Sequence, residues 1–245
     1  MQFGIGNMNK IFSAKVAVFG IGGVGGYTVE ALARSGVGTL DIFDDDVICV
    51  TNINRQIIAA HSTVGRYKVD VMKERILDIN PDASVGAYKM FYLPENASEI
   101  DLSKYDYVVD AIDTMTAKIE LIVQAKAADV PIICAMGAAN KIDPTAFIVS
   151  DISKTEYDPL AKVLRKELRA RGIKDVKVVY SKEPASAPIE DMEISCRTGC
   201  VCPPEAARTC LIRRQIPASN AFVPSAMGLI IAGEVVKDLA ARDTL

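Results

Sequence analysis

The stretch GIGGVG at residues 20–25 decides the fold, because it lies between an apolar run and a helical pattern. Residues 14–19 read AKVAVF and stop at the glycines, while residues 23–35 carry apolar side chains at helical spacing. This order predicts a strand, a tight turn and a helix. Such a turn lets the backbone approach phosphates, and the helix N-terminus adds partial positive charge. The pattern predicts a nucleotide site that suits either a nicotinamide dinucleotide or ATP.

An acidic cluster follows at the end of the next predicted strand. The run GTLDIF at 38–43 leads directly into Asp44, Asp45 and Asp46. In Rossmann-like sheets ligands bind at the carboxyl ends of the strands, and an acid at the end of the second strand binds a ribose. Asp44 is therefore the candidate ribose ligand for either nucleotide.

Polar and cationic residues beyond the acidic cluster favour ATP. Asn52, Arg55 and Gln56 come soon after it, and Lys68 lies on the next predicted helix. A planar guanidinium and an ammonium suit the β- and γ-phosphates, whereas hydride transfer to nicotinamide has no use for such a set. Solvated surface charge is the alternative for Arg55 or Lys68 taken singly.

Two more carboxylates close another predicted strand. Asp110 and Asp113 lie in VVDAIDT at 108–114. A carboxylate at this position can bind Mg²⁺ against a triphosphate. The sequence therefore predicts a magnesium ligand here.

The rest of the chain alternates strand and helix patterns. This alternation predicts an α/β, Rossmann-like fold: a largely parallel sheet with helices on both faces and an antiparallel C-terminal extension. Strands are predicted at 84–88, 107–110, 132–136, 146–150 and 176–180, and helices at 66–79, 115–128, 158–171 and 223–241.

Composition limits the class of protein. The 245 residues are half apolar and carry a net charge of −3, which argues against indiscriminate coating of nucleic acids. No apolar run is long enough for a membrane span, and no leader pattern opens the chain. We therefore expect a cytoplasmic protein without membrane contact, whose six cysteines are reduced.

Together these motifs resemble the ThiF/MoeB/HesA family, relatives of the ubiquitin-activating enzymes that adenylate carboxylates. The motifs are GIGGVG, Asp44 to Asp46, TNINRQ at 51–56, Lys68 and AIDT at 111–114, and their order and spacing agree with the family over nearly the whole chain. The resemblance implies one ThiF-type adenylating domain over 1–245. Its nucleotide-binding core spans about 14–150, and substrate-side and dimer elements span about 151–245.

Three stretches resemble the tRNA-modifying branch of that family. They are TNINRQI at 51–57, GAANKIDPT at 137–145 and DPLAKVLRKELR at 158–169. This resemblance implies a dehydratase that uses ATP to adenylate the carboxylate of threonylcarbamoyladenosine at tRNA position 37 and cyclises it with loss of water. One alternative is an adenylating activator of a ubiquitin-fold sulfur carrier, with a cysteine desulfurase or sulfur acceptor as partner. A non-catalytic nucleotide-binding protein is the second alternative.

The family's site residues carry over onto matching positions. The resemblance implies that Arg55, Lys68 and Asp113 are catalytic and that Asp113 binds Mg²⁺. It implies ATP binding by Gly20, Gly22, Gly23, Gly25, Asp44, Asp46, Asn52, Arg55, Gln56 and Lys68.

The N-terminus departs from the family pattern. Relatives usually carry an arginine in a longer N-terminal segment, which reaches the ATP of the partner subunit in a homodimer. Here thirteen residues precede the predicted first strand and none is arginine. Either Met1 is a misassigned or trimmed start, or Lys10 or Lys15 takes that role.

The clustered cysteines also depart from the family. Activators of ubiquitin-like proteins bind zinc through two Cys-x-x-Cys pairs, but here the spacing is C-x₃-C-x-C followed by a fourth cysteine eight residues on. That spacing is not typical of tetrahedral zinc, so reduced thiols are favoured over zinc or a reactive thiol. The residues are Cys196, Cys200, Cys202 and Cys210.

A basic stretch at 162–182 is the candidate tRNA surface, with contacts expected from Arg165, Lys166 and Arg169. It holds eight basic and two acidic residues in an acidic chain. A solvated helix face is the alternative. Tyr157 and Tyr180 flank the stretch as candidate platforms for bases, or as packing residues.

The last predicted helix carries a broad apolar stripe. Either core packing or a homodimer interface explains such a stripe. Its members are Val223, Met227, Ile230, Ile231, Val235 and Leu239.

Overall fold

The computed structural model of the chain describes residues 2–187 and 218–242. Its strands are β1 Lys15–Phe19, β2 Thr39–Phe43, β3 Ser84–Tyr88, β4 Tyr107–Asp110, β5 Ile132–Ala135, β6 Phe147–Asp151 and β7 Lys177–Ser181. Its α-helices are α1 Gly4–Ser13, α2 Gly25–Arg34, α3 Lys68–Ile79, α4 Met115–Ala127, α5 Pro159–Ala170 and α6 Phe222–Ala241. The predicted strands and helices are confirmed, with bounds that shift by a few residues at most.

The seven strands form one sheet in the order β3-β2-β1-β4-β5-β7-β6. Neighbouring strands are parallel except for β6, which runs antiparallel to β7 at the edge. This arrangement confirms the predicted fold class, including its antiparallel extension. The strand order reverses between β1 and β4, which is where ligands bind in open α/β sheets.

Alternating side chains of β1 divide the core between the two faces of the sheet. Val16 and Val18 belong to an apolar cluster shared with α1, α2, α3 and α6. Ala17 and Phe19 belong to a second cluster, shared with α4 and α5. Because α2 and α4 cover opposite faces, a crevice opens between their N-termini at the ends of β1 and β4.

Helix α6 packs against α2, the helix that follows the glycine turn. The buried Thr28 hydroxyl donates to the Gly228 carbonyl oxygen at 3.1 Å. The predicted apolar stripe is buried on this side, except for the half-buried Ile230. Core packing therefore accounts for most of it, while Phe222 and Leu229 on another face of the helix are 52% and 51% exposed.

Helix α1 was not predicted. It packs its buried Ile11 into the α2–α6 side of the core. Sequence patterns missed it because the helix begins at Gly4 with no side-chain cap and buries a single residue.

Candidate nucleotide site

The glycine turn follows β1 and packs against the loop that follows β4. Gly20 has a φ of 88°, a left-handed conformation that glycine adopts without steric cost. A Cβ there would lie 2.7 Å from the Ala111 carbonyl oxygen, and one at Gly25 would lie 1.8 Å from the Gly20 carbonyl oxygen. Glycine is therefore required where the two loops meet at the reversal of strand order.

Asp44 is bonded directly to this turn. Its Oδ2 accepts the Ile21 backbone N–H at 2.6 Å, and its Oδ1 accepts the Asp46 backbone N–H at 2.9 Å. The acid at the end of β2 thereby fixes the glycine turn against the neighbouring loop.

Lys68, the first residue of α3, pairs with the acids that follow β2. Its Nζ lies 2.8 Å from Asp46 Oδ2 and 3.7 Å from Asp44 Oδ1, with only 7% of its side chain exposed. Burial alone would lower the pKa of Lys68, but Asp44 and Asp46, with a smaller contribution from Asp113, raise that pKa above its usual value. Lys68 is therefore a buried, permanently charged cation at neutral pH, and Asp113 lies within its electrostatic reach.

Gln56 and Arg55 face the glycine turn. A Cβ at Gly22 would lie 3.9 Å from Gln56 Nε2, and one at Gly23 would lie 3.4 Å from Arg55 Cγ. Gln56 is only 6% exposed, and its Oε1 has no hydrogen-bond partner within the described residues. A buried amide oxygen without a partner is costly, so this atom indicates a place for a donor.

Hydrogen bonds within residues 49–55 orient the guanidinium of Arg55. The Arg55 Nη1 donates to the Thr51 carbonyl oxygen at 2.8 Å and to Asn54 Oδ1 at 3.0 Å. Asn52, predicted to bind the triphosphate, accepts the Cys49 backbone N–H through its Oδ1 at 3.0 Å. That oxygen of Asn52 therefore stabilises the short turn that presents Arg55.

The two aspartates after β4 have different surroundings. Asp110 is fully buried, and its Oδ2 accepts a hydrogen bond from the fully buried Lys118 at 2.7 Å. Asp110 also accepts the Ile112 N–H at 3.1 Å, and Lys118 donates to the Ala135 carbonyl oxygen at 3.0 Å. Asp113 is exposed instead. Of the two, Asp113 is the carboxylate that a metal ion can reach, while Asp110 holds the loop between β4 and α4.

Lys118 was missed in the sequence, although a signal for it was present. It lies on α4, eight residues after Asp110, and shares the buried face of that helix with Ala117 and Leu121. A lysine on the buried stripe of a helix indicates an acidic partner in the core.

Asn140 was also missed. Its backbone N–H donates to the Ala218 carbonyl oxygen, and its Oδ1 accepts the Ala218 N–H, both at 2.8 Å. Its carbonyl oxygen accepts the Ser186 N–H at 2.8 Å. The Asn54 amide donates to the Ser219 carbonyl oxygen at 2.9 Å. The loop after β5 and the loop carrying Arg55 are thus both joined to the residues that precede α6.

The basic stretch separates into paired and exposed cations. Arg165 donates to the Thr155 carbonyl oxygen at 2.6 Å and to its hydroxyl at 2.7 Å. Lys177 pairs with Asp238 at 2.6 Å, and Arg171 pairs with Glu167 at 2.7 Å. The exposed cations of α5 are Lys162, Lys166 and Arg169. Arg165 therefore binds the protein's own loop at Thr155 rather than being free for the predicted tRNA contact, whereas Lys166 and Arg169 face solvent.

The two N-terminal lysines lie away from the glycine turn. Lys10 Nζ donates to the Ala240 carbonyl oxygen near the end of α6 at 3.4 Å. Lys15 begins β1, at the edge of the sheet opposite the turn. Neither lysine approaches the nucleotide site of its own chain.

Several predicted residues lie outside the described ranges. They are Cys196, Cys200, Cys202 and Cys210. The described cysteines Cys49 and Cys134 are buried and free. Within the described residues, no helix is both long and apolar enough to cross a membrane.

Comparisons with known proteins agree with this geometry. The chain is 47% identical over 242 residues to tRNA threonylcarbamoyladenosine dehydratase of Bacillus subtilis (strain 168), covering 98% of this chain and 92% of the relative. Two similar crystal structures are E. coli tRNA N6-threonylcarbamoyladenosine dehydratase, TcdA, in complex with AMP and with ATP. The AMP complex has a TM-score of 0.83 at 33% identity, and the ATP complex 0.81 at 32% identity. Each match covers 98% of this chain and 91% of the E. coli chain.

The model of the ThiF family matches residues 1–244. The glycine turn, the buried acid, the lysine of α3 and the exposed aspartate after β4 are the residues on which the sequence resembled that family. This chain belongs to the ThiF family.

Proposed function

We propose that this chain is an ATP-dependent dehydratase that adenylates the carboxylate of threonylcarbamoyladenosine at tRNA position 37 and cyclises it with loss of water. The observation that carries the proposal is the cluster at the reversal of strand order, where Asp44 is bonded to the glycine turn, Lys68 pairs with Asp44 and Asp46, and Asp113 lies within the electrostatic reach of Lys68. The similarity to named dehydratases extends along 98% of the chain, which favours this function over sulfur-carrier activation or a non-catalytic role.

The residues at the turn suit ATP. The glycine backbone of residues 20–25 can approach the phosphates, and the N-terminus of α2 favours negative charge there. Each oxygen of Asp44 accepts one backbone N–H, so each retains a lone pair for a ribose hydroxyl. The Oε1 of Gln56 has room for a donor from the ligand. We assign Asn52, Arg55, Asp46 and Lys68 to the surroundings of the triphosphate.

The chemistry follows from charge. An oxygen of the threonyl carboxylate attacks the α-phosphorus of ATP, the bond from that phosphorus to the pyrophosphate oxygen breaks, and pyrophosphate leaves. Negative charge develops on the phosphate oxygens, and the fixed cations Arg55 and Lys68 stabilise it without a protein nucleophile.

Cyclisation completes the reaction. A nitrogen or oxygen of the neighbouring carbamoyl group attacks the activated carbonyl carbon, the bond to AMP breaks, and the carbamoyl proton passes to solvent. The nucleoside therefore loses one water while ATP becomes AMP and pyrophosphate. The protein supplies positioning of the reacting groups.

We assign Mg²⁺ to Asp113. Its exposed carboxylate offers the oxygen ligand that Mg²⁺ prefers, and Asp44, Asp45 and Asp46 place further carboxylate oxygens within 4.8 Å of one another nearby. A bound Mg²⁺ would neutralise charge on the triphosphate.

We also propose four wider features of the protein. The chain is divided into a nucleotide-binding part at about 14–150 and a substrate and dimer part beyond it. The exposed Phe222 and Leu229 of α6 suit a homodimer contact. A sulfur-transfer partner remains an alternative partner, and tRNA as substrate favours a cytoplasmic location.

Mass measurement tests the function directly. Purified protein is incubated with ATP, Mg²⁺ and tRNA that carries threonylcarbamoyladenosine. The tRNA is then digested and the nucleoside masses are measured by mass spectrometry. We expect a loss of one water that requires ATP and releases AMP. Arg55→Ala should abolish most of this conversion, while Arg66→Ala, which removes an exposed arginine paired with Glu74, should not. An unchanged nucleoside mass with the wild-type protein would reject the proposal.

A further inference from the structure

Tyr157 stands out among the aromatic residues near the basic helix. It is 69% exposed, whereas Tyr180, the other flanking aromatic, is 2% exposed and packs in the core beneath α5. The sequence left two alternatives for each tyrosine, a platform for bases or a packing residue, and the two side chains differ in this respect. Tyr180 is a packing residue, and Tyr157 presents its ring to solvent.

The backbone at Tyr157 is strained. Its φ is 57°, in the left-handed region that bulky side chains rarely adopt. The other described non-glycine residues with positive φ are Asp129, Asn140 and Asp175, residue types that tolerate this region. Strain of this kind persists only where the surrounding structure imposes it, and it concentrates at binding sites.

The contacts on both sides of Tyr157 impose this conformation. Two residues before it, Thr155 is buried and bonded twice to Arg165 of α5. Immediately after it, the buried Asp158 caps α5 by accepting the Ala161 N–H at 2.9 Å. Asp158 also accepts the Gly137 N–H at 3.1 Å. The side chain of Tyr157 is therefore displayed from a segment that is fixed at both ends.

These contacts also locate Tyr157 relative to the nucleotide site. Gly137 follows β5, and β5 is the direct neighbour of β4, whose end carries Asp113. The ends of two neighbouring strands are roughly 5 Å apart. Tyr157 thus lies at the same edge of the sheet as the glycine turn, on the side where α5 begins.

The charge around Tyr157 suits a nucleic acid. Helix α5 begins two residues later and carries the exposed cations Lys162, Lys166 and Arg169 at a spacing that places them on one face. One acidic residue, Glu156, is exposed beside the ring. An exposed aromatic ring next to a row of cations is the arrangement that binds unpaired bases and their phosphates.

We propose that Tyr157 stacks on an unpaired base of the tRNA substrate, next to the nucleotide that is modified, while the exposed cations of α5 bind phosphates of the same loop. This inference rests on the proposed function. It assigns base recognition to Tyr157 and removes Arg165 from the RNA contact, because Arg165 holds the loop that displays the ring.

The test compares two variants of Tyr157 and one control variant in tRNA binding. Tyr157→Ala should weaken the binding of threonylcarbamoyladenosine tRNA by about five- to a hundredfold, the range found when base stacking is removed. Tyr157→Phe keeps the ring and should restore the affinity. Val163→Ala removes another exposed apolar side chain, 48% exposed on α5, and serves as the matched control. The KM for ATP should be the same in all of them.

Two readouts separate stacking from a structural role. Tyr157→Gly relieves the positive φ, so its thermal midpoint should rise above that of the wild type while its tRNA affinity falls as far as that of Tyr157→Ala. Stacking carries no charge, so the slope of log affinity against log salt should stay that of the wild type in both variants.

The outcomes are distinct. Wild-type tRNA affinity in Tyr157→Ala and Tyr157→Gly, or failure of Tyr157→Phe to restore binding, would overturn the inference while the dehydratase activity stands. If the wild-type protein leaves the nucleoside mass unchanged, the proposed function itself fails.

Discussion

Two groups of cations, one near the ends of β2 and β4 and one on α5, are held in opposite ways. On the nucleotide side, Lys68 and Lys118 are almost fully buried and pair with acids from β2 and β4. On the side of α5, Lys162, Lys166 and Arg169 are exposed. A buried cation that is paired with an acid is fixed in place, whereas an exposed cation is mobile and screened by salt. A fixed cation such as Lys68 suits a small anionic ligand in one position, whereas Lys118 stabilises the fold and the exposed cations suit a long polyanion.

The largest expected effect concerns the buried pair. Lys118→Met would leave Asp110 buried without its cation, so we expect the free energy of unfolding to fall by about 3–5 kcal/mol. Urea denaturation followed by circular dichroism measures this change.

The matched control is the same substitution on the exposed helix. Lys166→Met should change the free energy of unfolding by no more than about 0.5 kcal/mol. Equal losses in the two variants would contradict the distinction between buried and exposed cations.

The next effect concerns Asp113. Asp113→Ala removes the exposed carboxylate that we assign to Mg²⁺, so the rate of AMP formation should fall by at least about a hundredfold while the fold persists. Quantifying AMP with saturating tRNA measures the rate, and circular dichroism checks the fold. Asp82→Ala, at an exposed acid before β3, is the control. Wild-type turnover in Asp113→Ala would reject the metal role.

The smallest effect concerns the exposed cations. Replacing Lys166 and Arg169 together with glutamine should weaken tRNA binding several-fold and reduce the slope of log affinity against log salt by roughly 1.5, because two phosphate contacts are lost. Binding titrations at four salt concentrations measure the slope.

The control for that experiment removes two cations elsewhere. Lys104 and Lys237 are exposed and pair with Asp101 and Glu234 on other surfaces. Their glutamine variants should keep the slope of the wild type. An unchanged slope after loss of Lys166 and Arg169 would remove α5 from the RNA surface.

Much of the fold was predictable because its signals are local. The glycine turn, the Asp158-Pro159 start of α5 and the apolar stripe of α6 each declare an element within a few residues. The position of Asp44 beside the glycine turn was predictable as well, because it follows the second strand of such a unit, while its role as ribose ligand stays a prediction. Helix α1 was not predictable, because it begins without a side-chain cap and buries a single residue.

The roles of individual charges were less predictable. Arg165 and Lys166 are adjacent in the sequence and equally basic, yet one is bonded to Thr155 and the other faces solvent. Tyr157 and Tyr180 are equally aromatic, yet one is exposed and the other is in the core. Residue type alone does not distinguish the members of either pair.

The sequence by itself determined the order of the strands and of helices α2 to α6, the glycine turn and the family, because backbone conformation and periodic burial depend on near neighbours along the chain. Only the tertiary structure decided which charges are paired. Asp44 accepts the Ile21 N–H, Lys118 donates to the Ala135 carbonyl oxygen, and Asp158 accepts the Gly137 N–H. These hydrogen bonds join residues that are 17 to 23 positions apart. Burial and pairing across such distances set whether a cation stabilises the fold or stays exposed to solvent, because the cost of burying a charge depends on partners from other elements.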